Sequence, residues 1–285
     1  MSGRRTLLGT IGRAAAYLAL CVAAFVSIFP VLWIMLMSIK LPRDAVAIPP
    51  VFIFQPTLDS YRSLFISGWQ ASTINIMGYL KNSIIIAFAS TTISVFAAMF
   101  AAYSLSRFRY RGRNLIGFVI IATRMLPPIA TIVPMFLLMN ALKLLDTHLG
   151  LILAYTAVNV PFAVWMLRGF IDEVPLELED AARIDGCSRL GSLWRVVLPL
   201  IAPGMAASSV YAFLLAWNDF ALALILTSRQ AKTLPLMVMA FFTSEGVEWG
   251  PMAAAVTVAL LPPILFVILM QKHLAKGLTM GAVKG

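Results

Sequence analysis

The sequence predicts an all-α membrane protein with six transmembrane helices, a helical loop on the cytoplasmic side, and both termini in the cytoplasm. Three observations lead there. Of the 285 residues, 61% are hydrophobic and 12% charged, with a mean hydropathy of +0.91. Soluble domains are about 45–50% apolar and about 25% charged. Several uncharged runs are long enough to cross a hydrocarbon core about 30 Å thick, which takes about 20 helical residues. The basic residues are also unevenly shared between alternate loops. This composition argues against a water-soluble enzyme and against intrinsic disorder, which needs low hydrophobicity with high net charge. The net charge of +10 reads as retention of Lys and Arg on the cytoplasmic side rather than as nucleic-acid binding.

The spans fall at about 14–39, 82–106, 114–142, 147–167, 204–227 and 249–271. The first run holds no charge between Arg13 and Lys40. It is far longer than the roughly 7–15-residue apolar core of a signal peptide, so it reads as an anchor. Arg4-Arg5 only weakly resembles a twin-arginine signal. The third and fifth spans each carry a charge, Arg124 and Asp219. Pro127-Pro128, Pro199, Pro203 and Pro262-Pro263 predict kinks or breaks.

With six spans both termini share a side. The terminal and even-numbered loops hold 14 of the Lys and Arg residues and the odd loops hold 7. The sharpest anchor is the loop from Arg107 to Arg113, with four arginines. Both termini therefore read as cytoplasmic.

Two loops are longer than a helix–helix connection needs. The outer one, 40–81, carries Pro42, Pro49, Pro50 and Pro56, then a segment able to form a short helix capped near Thr57 or Asp59. The inner one, 168–195, reads as helical. Pro175 suits a first helical position. Glu177, Glu179 and Asp180 suit a helix N-terminus. Gly186 suits the left-handed residue that ends a helix. Ala181, Ala182 and Ile184 give a small apolar surface, and a second helix runs from about Ser188 into Leu198-Pro199. Helices that lie on lipid are basic with large apolar residues. This loop has net charge −2 and small apolar residues, which favours a protein partner in the cytoplasm.

Asp219 and Arg124 are costly at membrane depth, about 2.5–3.5 kcal/mol each on insertion scales. Both need a cavity or a partner. They could pair with each other, line a route for a polar solute, or support helix packing. Asn82, Tyr155 and Asn218 are further candidates for such a route, and Asn75, Tyr79, Asn140, Asn159 and Tyr211 also lie near or within spans. Cys21 and Cys187 have no metal-ligand spacing, and His148 and His273 are isolated. No stretch reads Gly, four residues, Gly-Lys-Ser/Thr, and no nucleophile–base group stands outside the spans. The expectation is a non-catalytic chain with no metal and no cofactor of its own.

The run Glu177-Leu178-Glu179-Asp180-Ala181-Ala182-Arg183-Ile184-Asp185-Gly186, followed by Val196-Val197-Leu198-Pro199, resembles the EAA loop of ABC-importer permeases. That motif reads Glu-Ala-Ala, three residues, Gly, nine residues, an aliphatic, one residue, Leu-Pro. Asp180 stands where Glu is usual, keeping the charge on a shorter arm, and Cys187 stands where Ala is usual. Asn82-Ser83, Tyr103-Ser104-Leu105-Ser106-Arg107, Arg124-Met125-Leu126-Pro127-Pro128, Pro161-Phe162 with Trp165, Trp217-Asn218-Asp219-Phe220 and the tail from Gly277 to Gly285 extend the likeness over nearly the whole chain. Together they are similar to the second permease subunit of maltose-type sugar importers.

The resemblance implies a division of labour. An extracytoplasmic sugar-binding protein delivers the solute, and a second homologous permease completes the pathway through the bilayer. An ATPase dimer binds ATP and Mg and drives the cycle. It implies that Glu179, Asp180, Ala181, Ala182, Asp185 and Gly186 meet one ATPase. It implies that the tail, 272–285, reaches the ATPases through Leu278, Thr279, Gly281 and Lys284. The segment 243–250 corresponds by position to an outward loop that contacts the binding protein. A stand-alone secondary transporter or channel is the alternative, but such proteins usually show internal repeats and charges deep in several helices. An intramembrane enzyme would need a metal or nucleophile cluster at membrane depth.

Overall fold

A computed structural model of the chain describes residues 2–66, 76–244 and 246–281. It divides into two compact units, residues 1–75 with 238–258 and residues 76–237 with 259–285.

The first unit begins with α1 (Ser2–Met37), whose stretch Ala15–Met37 is long and apolar enough to span a bilayer. Two short helices follow, α2 (Pro42–Ala45) and α3 (Asp59–Phe65). The latter is the helix expected near Asp59, and the Thr57 hydroxyl accepts from the Asp59 backbone N–H at its start. The segment folds back onto the end of α1. The Thr57 N–H donates to the Ile39 carbonyl at 2.9 Å, and the Ser38 and Tyr61 hydroxyls are bonded at 2.8 Å. The unit closes with a 3₁₀ turn (Val238–Phe241), a hairpin of β1 (Phe242–Thr243) with β2 (Gly246–Val247), and the start of α14 (Trp249–Gly281). The start of α14 packs closely on α3. A Cβ at Gly250 would lie 2.7 Å from the Ser60 hydroxyl.

The second unit is built on α4 (Ile76–Arg107) and α7 (His148–Asp172). Small residues on facing surfaces, Ala98 and Ala102 on α4 and Ala163 on α7, let the two backbones approach. Met99, Val164, Leu167 and Ile171 fill the space around them. Between the two run α5 (Arg113–Ala122), a 3₁₀ turn (Thr123–Met125) and α6 (Pro128–Ala141). After α7 come α8 (Leu176–Ile184), α9 (Arg189–Ser192), a π-helical turn (Leu193–Val197) and α10 (Leu198–Leu200). Leu193, Val197 and Ile201 complete the α4–α7 core. Then follow α11 (Ala202–Asn218), α12 (Ala221–Leu226) and α13 (Leu234–Met237). Phe170 presses on α11 where a Cβ at Gly204 would fall 2.4 Å from its ring.

Four described helices are long and apolar enough to cross a membrane: Ala15–Met37, Ile76–Arg107, His148–Asp172 and Trp249–His273. Two further candidates are bent. Arg113–Met125 meets Ile129–Ala141 at 102°, and Arg189–Leu200 meets Ala202–Asn218 at 76°, so the total is six if each bent pair is one span. The break in the expected span 114–142 follows from Pro127-Pro128. A residue before proline is pushed out of the helical region, and Leu126 and Pro127 have ψ of 131°. The expected span 204–227 is likewise two helices, parted at Asp219, whose ψ is 127°. Pro262 and Pro263 lie inside the continuous α14. The first turns of α1 and the tail from 272 to Gly281 are helical extensions of spans rather than separate segments.

Candidate functional site

The helix α8 is defined at both ends by its sequence. Pro175, with ψ 134°, turns the chain into it. Gly186, at φ +88°, takes the left-handed conformation that costs glycine least. The Gly186 N–H donates to Arg183 O at 3.1 Å and the Cys187 N–H to Ala182 O at 2.9 Å. This is the paired bonding of a Schellman stop. Ser188 then caps α9 by accepting from the Gly191 N–H at 3.1 Å.

One side chain of α8 turns inward. Glu179 is 6% exposed, and its carboxylate accepts from the Tyr103 hydroxyl at 2.8 Å and from Arg107 Nε. The Arg107 Nη2 donates to the carbonyls of Ile171 and Val174, each at 2.8 Å. Beside it Ser106 donates to Asp172, which also pairs with Arg168 at 3.5 Å. A carboxylate and a guanidinium are out of water here, but every strong group on them is paired. Such burial is tolerated only on that condition.

The outer face of α8 is bare. Asp180, Ala181 and Asp185 are exposed and Ala182 is half-buried. Ile184 is 86% exposed, and Leu190 on α9 is exposed beyond it. The surface is acidic with an apolar centre, and Asp180 has a loose contact with Arg183 at 3.5 Å. Tyr103 and Arg107 were absent from the candidates that sequence reasoning put at this site. Arg107 reads in sequence as a topology anchor, and nothing local announces a partner on α8.

Two groups of polar residues lie around the charges Asp219 and Arg124. The Tyr155 hydroxyl donates to Asp219 Oδ2 at 3.1 Å, and the same oxygen accepts from the N–H groups of Leu222 and Ala223, at 3.0 and 3.3 Å. Asp219 thus holds the break between α11 and α12. Arg124 donates to the Tyr211 hydroxyl at 3.0 Å and to the Val158 carbonyl at 3.3 Å. Arg124 and Asp219 therefore do not pair with each other. Asn218 is spent on its own helix, donating to Leu214 O at 2.8 Å.

Asn82 lies in a third cluster, at the end of α4. Its amide donates to the Gln230 and Lys232 carbonyls at 2.8 and 2.9 Å, and its Oδ1 is 2.7 Å from His148 Nε2. With both amide hydrogens used, the oxygen accepts, so Nε2 of His148 carries the proton. Asp146 holds the same loop from the other side. Its carboxylate accepts from the N–H groups of Ser228, Arg229, Gln230 and Ala231, at 2.9 to 3.3 Å, and from the Ser228 hydroxyl. Desolvation alone raises this carboxyl, but the donors of Arg229, Ser228 and Ala231 outweigh it and hold it at about 2. Among the described residues no group of three His, Cys, Asp or Glu could hold a metal ion. Leu278, Thr279 and Gly281 fall in the last turns of α14, and Lys284 lies outside the described residues.

Residues 93–280, which include α7 to α13, match the model of the binding-protein-dependent transport system inner membrane component family. The chain belongs to that family. This inner membrane component is 39% identical, over 93% of its length and 93% of the relative's, to the probable ABC transporter permease protein y4oR of Sinorhizobium fredii. It is 34% identical, over 96% of its length and 95% of the relative's, to the sulfoquinovosyl glycerol transport system permease protein SmoH of Agrobacterium fabrum. Its fold resembles a chain of a bacterial ABC transporter that imports the acidic polysaccharide alginate. The TM-score is 0.75 at 21% identity, covering 92% of this chain and 96% of that one.

Proposed function

We propose that this chain is one of two permease subunits of an ATP-driven ABC importer that carries a sugar, a polyol or a glycoside into the cytoplasm. The observation that carries the reading is α8. It is a short helix stopped by Gly186, exposed on an acidic and apolar face, and fixed to α4 and α7 through Glu179 and Arg107. Its likeness to an EAA loop and the sugar named for a full-length relative support the same assignment. In this reading six spans cross the bilayer, two of them as the bent pairs 113–141 and 189–218, both termini are cytoplasmic, and the loop that carries α8 couples to the ATPase. Asp180, Ala181, Ala182, Ile184 and Asp185 meet the ATPase. Gly186 fixes their presentation, and Glu179 acts from behind by positioning the helix. The partners are the second permease, the ATPase dimer, the extracytoplasmic binding protein and the bilayer. ATP and Mg belong to the ATPase subunits, which the tail residues Leu278, Thr279, Gly281 and Lys284 also reach.

The coupling has a simple physical requirement. An ATPase can bias the permease between inward and outward states only if its contacts differ between them. A helix that moves as one piece with two spans turns such a difference into a rigid displacement. Asp219 with Tyr155, and Arg124 with Tyr211, are the polar pairs available to a hydroxyl-rich solute at membrane depth. Asn218 and Asn82 are engaged in backbone bonds and contribute to the pathway by shaping it.

The test is a pull-down of the chain from native membranes in mild detergent, with every co-purifying protein identified. Recovery of an ATPase and a second permease is expected, and a recovered binding protein would then be screened against sugars. Recovery of this chain alone, from an extract that preserves other membrane complexes, would overturn the reading in favour of a stand-alone transporter.

A further inference from the structure

The first unit carries a surface that the transport reading does not use. Val46-Ala47-Ile48-Pro49-Pro50-Val51-Phe52-Ile53-Phe54 is nine residues without one polar side chain. In a loop outside the spans such a run should be buried, and it is not. Ile48 is 97% exposed, Ile53 95% and Phe52 68%. The run is not loose either. Lys40, only 2% exposed, donates its ammonium to the Val51 carbonyl at 2.6 Å. The same ammonium lies 4.4 Å from the centre of the Trp33 ring and 5.1 Å from that of Phe54. Phe52 packs edge-on against Trp33 at 5.5 Å. The segment is thus pinned in place, with Ile48, Phe52 and Ile53 exposed and Ala47, Val51 and Phe54 half-buried.

Where it is pinned identifies what covers it. Trp33 lies within the spanning stretch Ala15–Met37, four residues before its end, or about 6 Å along the helix axis. The run has therefore folded back from the end of α1 to a level inside the span. α1 itself presents Phe25, Phe29 and Leu32 to the outside. Phe25, Phe29 and Trp33 form a ladder of ring contacts at 5.6 and 6.0 Å, and Phe52 continues it. The exposed face of the run is continuous with the exposed apolar surface of the spanning stretch of α1. Trp is the residue type enriched where hydrocarbon meets headgroups, and apolar side chains there reach about 5–10 Å into the headgroup–acyl boundary. Two features lower the backbone's cost at that depth: Pro49 and Pro50 have no N–H to leave unsatisfied, and the Val51 carbonyl accepts from Lys40. Arg43, 78% exposed and beside Asp44, and Gln55 mark the polar flanks.

The geometry points to residues 46–54 as an interfacial wedge that inserts Ile48, Phe52 and Ile53 into the headgroup–acyl boundary of the bilayer beside α1. The occupant of this face is phospholipid acyl chain. A docked protein is the competing occupant, and the run offers it no charge or side-chain hydrogen bond for recognition. The inference needs α1 to be a span and does not depend on what the chain transports.

The test uses the full chain with Cys21→Ser and Cys187→Ser, reconstituted in phosphatidylcholine–phosphatidylglycerol nanodiscs. Nitroxide labels go in turn on Ile48→Cys, Ile53→Cys and, as the polar control, Arg43→Cys. All three side chains are exposed, so labelling removes no core packing. Power saturation then compares collision with oxygen, which concentrates in lipid, and with a water-soluble nickel chelate. Oxygen should dominate at 48 and 53, and the order should reverse at 43. Nickel dominating at 48 and 53 would place the run in water and overturn the proposal. Low accessibility to both reagents at 48 and 53 would also overturn it, and would assign the face to a protein contact.

Discussion

Glu179 and Asp180 are neighbours in sequence, and substituting each should give opposite results. Removing one partner of a buried ion pair costs about 3–5 kcal/mol, because the other charge is left buried. The Arg107 and Glu179 side chains are 9% and 7% exposed. Arg107 keeps the carbonyls of Ile171 and Val174 when Glu179 is gone, so the lower end, about 3 kcal/mol, applies to Glu179→Ala. At about 1.4 kcal/mol per tenfold, amide exchange in 176–184 should quicken by roughly two decades. Asp180 is 67% exposed and its contact with Arg183 is 3.5 Å. A surface pair of that kind is worth about 0–1 kcal/mol, so Asp180→Ala should change the same exchange by a few-fold at most. The assay is hydrogen exchange read by mass spectrometry on the purified full chain. In the assembled transporter Asp180→Ala should still weaken ATPase association, the property that Glu179→Ala affects through position. Glu179→Gln, which keeps an acceptor, should fall between native and Glu179→Ala. If Glu179→Ala leaves exchange in 176–184 within a few-fold of native, the buried pair does not hold the helix, and the rigid-coupling account fails with it.

Gly186→Pro forces φ from +88° to about −65° and removes the N–H bonded to Arg183 O. Membrane insertion should survive while ATP hydrolysis uncouples from transport, and normal transport in a stably assembled mutant would count against the coupling assignment. Deleting Leu278 to Gly285 should impair ATPase regulation more than insertion, and unchanged substrate-stimulated hydrolysis would remove the tail from the interface. Tyr155→Phe with Asp219→Asn should lower transport without dissociating the complex, as measured by solute uptake into proteoliposomes; native uptake would make that pair a packing element. Asp146 has a folded pKa of about 2 against 3.8, at most about 2.4 kcal/mol and about 1 after solvent screening. Because the folded value is depressed, this stability is present above pH 4 and fades as pH falls from 4 to 2. Asp146→Ala should therefore expose the Arg229 bond to trypsin at neutral pH, and equal cleavage rates in mutant and native chain would refute that.

The long uncharged runs were legible because hydropathy is a one-dimensional property. It marks where apolar residues are but not where a helix bends inside them. Pro127-Pro128 did signal the 102° break. The break at Asp219 gave no comparable warning, because a lone carboxylate in an apolar run reads equally as a ligand, an ion-pair partner or a cap. In the structure it caps α12 and accepts from Tyr155. The ends of α8 were legible for a local reason, since Pro175 and Gly186 act on their own backbone. Glu179 was not. A carboxylate near a helix N-terminus is already accounted for by the dipole, which hid its second role. The residue that would have revealed it, Arg107, is 72 positions away.

A buried ion pair is weak evidence for stability, since apolar residues often do as well, so the arrangement at Glu179 needs another reason. Only three residues, Glu173 to Pro175, join α7 to α8, and a linker that short with free torsions would let α8 pivot. Arg107 removes that freedom. Its guanidinium, carried by α4, bonds at once to Ile171 at the end of α7, to Val174 in the linker and to Glu179 in α8. A fork of five donors in one plane can hold three segments in a fixed relation, which a point charge such as lysine cannot. Arg107→Lys should therefore keep the charge and lose the rigidity. If the outer face of α8 is where an ATPase pushes, this fork makes the push arrive at α4 and α7 together. The chain can then change state as a body rather than bend at a loop.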